Sequence, residues 1–169
     1  PDAVDLVVVG KNAKLTLENP EVRAAHERGV SIKNFAAVLG DILRDRNPVV
    51  VAGSFAKSTV TALITWVLVH AGKDPGYMIG AVAHDLPRTS SLGSHPVFVI
   101  EGDEYPSGHD DSRSKFLHYH VHDLVLTSAE HDHINIFPTH KAYLAPFRAL
   151  INSLPQDATI VVCADDPHV

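Results

Sequence analysis

An apolar, β-branched run that breaks into a glycine turn and ends in Lys-Ser-Thr constrains this chain more than any other stretch. It reads Val49-Val50-Val51-Ala52-Gly53-Ser54-Phe55-Ala56-Lys57-Ser58-Thr59, and a helical pattern follows from Val60 to His70. Strand, glycine loop and helix in this order suit a phosphate-binding loop. Backbone N–H groups of the loop and of the helix N-terminus face an anion there. Lys57 is placed to reach terminal phosphates, and Ser58 to put its hydroxyl on Mg²⁺. The match is partial, because Ala56 stands where the usual glycine precedes the lysine. An ordinary βα turn carrying a surface lysine is the competing reading.

The rest of the chain supplies the context. Val4 to Val9 reads as a short buried strand ending at Gly10. Pro20 opens a helix with Asn19 as N-cap, and Gly29 closes it. Val30 to Ile32 is extended. Phe35, Val38, Leu39, Ile42 and Leu43 form a helical stripe within Asn34 to Arg44. Asp45-Arg46-Asn47-Pro48 is a polar linker, which divides the chain into residues 1–46 and 47–169. After the central loop, Leu63, Ile64, Trp66, Val67 and Leu68 predict a deeply buried helix. Short strands follow at Tyr77–Ile79, Val97–Ile100, Leu124–Leu126 and Thr159–Cys163. A helix spans Thr139 to Ser153, with a disturbance expected at Pro146. Buried strands alternating with helices predict an α/β fold with a mainly parallel sheet.

Three polar clusters follow three of these strands: Gly53–Thr59, Glu101–Glu104 and Ser128–His133. In a parallel sheet the carboxyl ends of the strands share one edge, where ligands bind, so the clusters are expected to converge. Oxygen donors at Ser58, Glu101, Asp103 and Glu104 suit Mg²⁺. His131 and His133 would suit zinc better, but no cysteine pair or HExxH helix accompanies them. The alternating His118, His120 and His122 read as structural or surface groups on a strand face.

Composition excludes several classes. With 169 residues, 45% hydrophobic and 20% charged, the chain can bury one sizeable core. A net charge of −6 disfavours a nucleic-acid surface. No apolar stretch approaches membrane-spanning length. The single cysteine, Cys163, lies in an apolar run and reads as a buried thiol in a reducing compartment. A start at Pro1 and a stop just after a strand suggest a fragment of a longer enzyme.

The motifs together resemble the Mur ligases, the ATP-dependent amide-bond-forming enzymes of peptidoglycan metabolism, and within them the murein-peptide branch. The carrying stretches are Asn19-Pro20-Glu21-Val22, the loop Gly53 to Thr59, Trp66-Val67-Leu68 through Ala71-Gly72, and Asp74-Pro75-Gly76. Further on come Glu101-Gly102-Asp103-Glu104-Tyr105, Arg113-Ser114-Lys115-Phe116, Glu130-His131-Asp132-His133 and Ile136-Phe137-Pro138. The resemblance implies a Rossmann-like end of a UDP-sugar domain in residues 1–46 and a P-loop-type central ATP-binding domain in 47–169. A further C-terminal domain of the family would be absent. It implies that Gly53, Ser54, Phe55, Ala56, Lys57, Ser58 and Thr59 hold ATP. Ser58, Glu101 and His133 would hold Mg²⁺, and Lys57, Glu101 and His133 would serve catalysis.

The implied substrates are UDP-N-acetylmuramate and the murein peptide L-alanyl-γ-D-glutamyl-meso-diaminopimelate, joined through an acyl phosphate. No nucleic acid or membrane partner is implied, and the location is cytoplasmic. The alternatives are another Mur ligase, such as the alanine-adding enzyme, or a catalytically silent Mur-like binding module. The family loop reads Gly-Thr-His-Gly-Lys-Thr, so Phe55 and Ala56 depart from it. Ala81, Pro106 and Ser128 depart at other ligand-facing places. Weakened ATP or uridine-sugar binding is expected from these changes.

Overall fold

The computed structural model describes residues 4–10 and 18–169. The elements, in chain order, are β1 (Leu6–Val9), α1 (Pro20–Glu27), β2 (Ser31–Asn34), α2 (Phe35–Leu43), β3 (Asn47–Ala52), α3 (Lys57–His70) and β4 (Pro75–Met78). They continue with β5 (Ser90–Ser91), β6 (His95–Glu101), a 3₁₀ turn at Lys115–His118, β7 (Asp123–Leu126), α4 (His140–Ser153) and β8 (Ile160–Val162). The strand β1 pairs in parallel with β2 alone, while the other six form one sheet in the order β5-β4-β6-β3-β7-β8. Every pairing in that sheet is parallel except β4 with β5.

Local chemistry explains the helix starts. The Asn19 side chain accepts from the Glu21 and Val22 amides, with Pro20 at the first helical position, and Asn34 does the same for Ala37 at the head of α2. Thr139 caps α4, which runs through Pro146 as one helix; the expected disturbance does not end it. The polar linker at 45–48 is shorter than expected, because β3 begins at Asn47. Pro48 lacks an N–H and gives the ladder its carbonyl, which accepts from His122 N at 3.0 Å.

The sheet separates two cores. On one face, Leu39 and Leu43 of α2 and Tyr143, Phe147 and Leu150 of α4 pack on Val50, Phe98, Ile100, Leu124 and Leu126. On the other face, α3 covers Val51, Tyr77, Ile79 and Val99. The helix α2, which the polar linker would assign to the first unit, therefore packs on the six-stranded sheet.

The reading of Val4 to Val9 as a buried strand is corrected, since Val4, Leu6 and Val8 are exposed, and three further expectations are corrected with it. The first is the deep burial of α3: Leu63 is 58% exposed and Val67 50%, and Trp66 also faces outward, stacked on His70. The face against the sheet carries the fully buried Thr61 and Thr65. Their hydroxyls are satisfied within the helix, donating to the Lys57 and Thr61 carbonyls at 2.8 Å each, so only their methyl groups enter the core. The second is Cys163, which is exposed, because β8 is an edge strand with all three residues exposed. The third is the histidine alternation. It lies not on a strand but on a 3₁₀ turn and a left-handed residue, His120, while Tyr119 and Val121 turn inward. Among the described residues no helix is long and apolar enough to cross a membrane.

Candidate functional site

The central strands β6, β3 and β7 lie side by side and parallel, so the residues that leave their carboxyl ends meet. The meeting is a set of hydrogen bonds. Thr127 N and Oγ1 donate to the Ala52 carbonyl at 2.9 and 3.2 Å, and Thr127 Oγ1 also reaches the Phe55 carbonyl at 2.6 Å. Ser128 accepts from the loop twice, through its carbonyl from Ser54 N at 3.2 Å and through Oγ from Phe55 N at 2.9 Å. Ser54 is buried; its hydroxyl donates to the Glu130 carbonyl at 2.5 Å and lies 2.8 Å from the Tyr143 hydroxyl. Burial pushes the Tyr143 phenol up to about 12, so it stays a protonated partner for Ser54.

Two loop residues take positive φ. Gly53 sits at +133°, and a Cβ there would lie 2.3 Å from Thr127 Oγ1. Ala56, at φ 61° and ψ 10°, caps α3 in the left-handed region without any side-chain cap bond. The amides of Lys57, Ser58 and Thr59 belong to the first turn and have no intrahelical acceptor. Together with the helix dipole they make this end of α3 attractive to an anion. Phe55 is 54% exposed, and Thr59 is exposed as well.

The acidic stretch after β6 divides its work. Glu101 accepts from Ser58 Oγ at 3.0 Å through one oxygen and from Gly80 N at 2.5 Å through the other. Asp103 pairs with Lys115 at 2.5 Å. Glu104, only 1% exposed, lies 3.4 Å from Lys57 Nζ and 3.1 Å from His133 Nε2. Lys57 Nζ also donates to the Gly53 carbonyl at 2.6 Å. His133, at φ 55°, has its Nδ1 at 2.8 Å from the Tyr105 hydroxyl.

The arrangement tests the expected metal set. Ser58 and Glu101 present hard oxygen donors side by side, which fits Mg²⁺. His133 has Nδ1 in a hydrogen bond to the Tyr105 hydroxyl and Nε2 facing the carboxylates of Glu104 at 3.1 Å and Asp132 at 3.5 Å, so joining that pair requires it to give up one of these contacts. Among the described residues no three His, Cys, Asp or Glu side chains gather as a metal cage. His131 turns away from His133, its Nε2 at 2.8 Å from the Phe137 carbonyl, which removes the zinc pair. Gly80, Thr127 and Tyr143 were not singled out as site-forming in the sequence, because their contributions are backbone or tertiary contacts; Ser128, the first residue of the third polar cluster, is found here bracing the loop. Two hollows of about 330 and 420 Å³ adjoin the loop, sharing Thr127 and Cys163 in their linings.

The fold and this edge define a mixed α/β domain on a mostly parallel sheet flanked by helices, with its polar groups gathered where the central strands end. Residues 51–169 match the family model of the Mur ligase middle domain, and the chain belongs to that family. It is 39% identical over 158 residues to the UDP-N-acetylmuramate–L-alanyl-γ-D-glutamyl-meso-2,6-diaminoheptandioate ligase of Escherichia coli K12, covering 93% of this chain and 34% of that protein. It is 34% identical over 165 residues to the UDP-N-acetylmuramate–L-alanine ligase of an Arthrobacter species, covering 98% of this chain and 33% of that one. Among solved structures, a UDP-N-acetylmuramate:L-alanyl-γ-D-glutamyl-meso-diaminopimelate ligase from Neisseria meningitides superposes with a TM-score of 0.86. That match has 30% identity and covers 97% of this chain and 53% of the other. The chain thus spans about a third of the length of the curated relatives it matches.

Proposed function

We propose that this chain is the nucleotide-handling part of an ATP-dependent ligase of peptidoglycan recycling, joining UDP-N-acetylmuramate to L-alanyl-γ-D-glutamyl-meso-diaminopimelate in the cytoplasm. The observation that carries the reading is Lys57, Ser58 and Glu101 grouped around the uncapped start of α3. In this reading the first-turn amides and Lys57 bind the ATP phosphates. Ser58 and Glu101 hold Mg²⁺, with His133 on the opposite loop. Bound Mg²⁺ supplies charge neutralisation on the transferring phosphoryl group. Residues 1–46 belong to the end of the UDP-sugar domain, with α2 seating that unit on the ATP-binding sheet.

The muramate carboxylate attacks the γ-phosphorus, giving an acyl phosphate and ADP. The peptide amine then attacks the acyl carbon and phosphate leaves. Lys57 holds the phosphates in line and offsets charge; positioning and electrostatics carry such transfers. The test is isotope transfer in the longer protein. A carboxylate labelled with ¹⁸O should deliver one label into the released phosphate, in a reaction that needs both the UDP-sugar and the peptide. Unlabelled phosphate, or ADP formed without the UDP-sugar, would sink the reading.

A second reading, a binding module without turnover, is favoured by Ala56. Its Cβ occupies a left-handed position that glycine takes without strain. Ala56→Gly is expected to raise stability by about 1 kcal/mol, since the left-handed strain removed exceeds the entropy glycine adds to the unfolded chain. It should also tighten Mg-ATP binding several-fold. Thermal unfolding and calorimetry on the same variant check both; an unchanged midpoint with unchanged affinity would show that the alanine costs nothing here.

A further inference from the structure

We propose that Glu104 is the positioning residue of this site, one buried carboxylate that fixes Lys57 with one oxygen and His133 with the other. A carboxylate out of contact with water needs partners for its charge. Glu104 is 1% exposed, and both of its side-chain partners come from other segments. Oε2 lies 3.4 Å from Lys57 Nζ, at the head of α3, and Oε1 lies 3.1 Å from His133 Nε2, beyond β7. Its own backbone is pinned as well, because the buried Ser114 donates its hydroxyl to the Glu104 carbonyl at 2.5 Å. The residue therefore ties the two loops that flank the carboxyl end of β3.

This separates Glu104 from Glu101, although both were candidate Mg²⁺ ligands by sequence. Glu101 is half-buried beside Ser58, whereas the two oxygens of Glu104 are already committed. An ammonium has three donors. With one on the Gly53 carbonyl and one toward Glu104, Lys57 keeps a third for an incoming phosphate. Two carboxylates face Nε2 of His133, and the buried Glu104 at 3.1 Å is nearer than the more exposed Asp132 at 3.5 Å, so Glu104 selects the tautomer with the proton on Nε2 and leaves Nδ1 to accept from the Tyr105 hydroxyl. The geometry stands without a ligand; its consequence for ATP rests on the nucleotide reading above.

The experiment is ¹⁵N NMR of the His133 ring in this chain without nucleotide, roughly two pH units above the ordinary histidine value. The parent is expected to show the Nε2–H form. Glu104→Gln keeps the shape but offers one acceptor and one donor to two donors. Its oxygen goes to the ammonium and its amide donates toward Nε2 from the nearer, buried position, so the ring should switch to the Nδ1–H form despite the more distant and more exposed Asp132 carboxylate. Tyr105→Phe, which leaves Glu104 in place, should retain Nε2–H. A calorimetric titration with Mg-ATP should then show Glu104→Gln binding about tenfold more weakly than the parent, the loss expected when a fixed side chain must be ordered on binding. A parent ring in the Nδ1–H form, or a tautomer unmoved by Glu104→Gln, overturns the role whatever ATP does. Equal ATP affinity in parent and variant overturns its consequence for binding. A parent that binds no ATP would fail the nucleotide reading, while the ring tautomer would still decide the role of Glu104.

Discussion

Lys57→Ala is expected to weaken Mg-ATP binding about a hundredfold while leaving the fold in place. The ammonium is the cation that the site places beside the uncapped turn of α3. A hydrogen bond between charged groups contributes about 1.5–3 kcal/mol, and the upper part of that range, applied to the one donor Lys57 keeps for a phosphate, gives this factor. Removing Lys57 also leaves Glu104 with His133 as its remaining side-chain partner, so a small loss of stability accompanies the loss of affinity. Calorimetry reads the first effect and thermal unfolding the second. Undiminished affinity in the variant would mean that phosphates, if bound, are held elsewhere.

Gly53→Ala carries the largest expected cost in stability. The backbone at φ +133° disfavours any L side chain, and there is no room for one. The added Cβ would lie 2.3 Å from Thr127 Oγ1 and 2.8 Å from both the nitrogen and the oxygen of Ser128. Relief means parting the loop from the segment after β7 and breaking the Ser54–Ser128 and Thr127–Ala52 bonds. Strain plus overpacking is worth about 3 kcal/mol or more. For a chain of this size that lowers the unfolding midpoint by roughly 10 °C. A midpoint within a degree or two of the parent would show that the two loops are not locked together as described.

Much of this was legible in the sequence, for physical reasons. The three polar clusters could be placed at one edge because a parallel sheet orders its carboxyl ends, and β6, β3 and β7 are indeed neighbours. Asn34, read as the first residue of its helix, is the cap before it, whereas the cap at Asn19 is local chemistry and was readable from local signals. The burial of α3 was not, because it depends on which stripe of an all-round apolar helix meets the sheet. Thr61 and Thr65 satisfy their hydroxyls internally and so compete for that stripe with Leu63 and Trp66. Cys163 misled for a related reason: an apolar strand is buried only if something covers it, and β8 lies at the sheet edge. The division of labour between Glu101 and Glu104 was also out of reach. Spacing puts both at one edge, but only the tertiary contacts assign one to Ser58 and the other to Lys57 and His133.

The most direct measurement is backbone amide mapping of this chain during titration with Mg-ATP. Saturable shifts are predicted at Gly53 to Thr59, at Gly80 and Glu101, and from Thr127 to His133, and they should vanish in Lys57→Ala. Shifts that fail to saturate would contradict the account. So would shifts centred on the separate hollow of about 420 Å³ lined by Val9, Lys33, Asn34 and Asp111, which shares no residue with this edge.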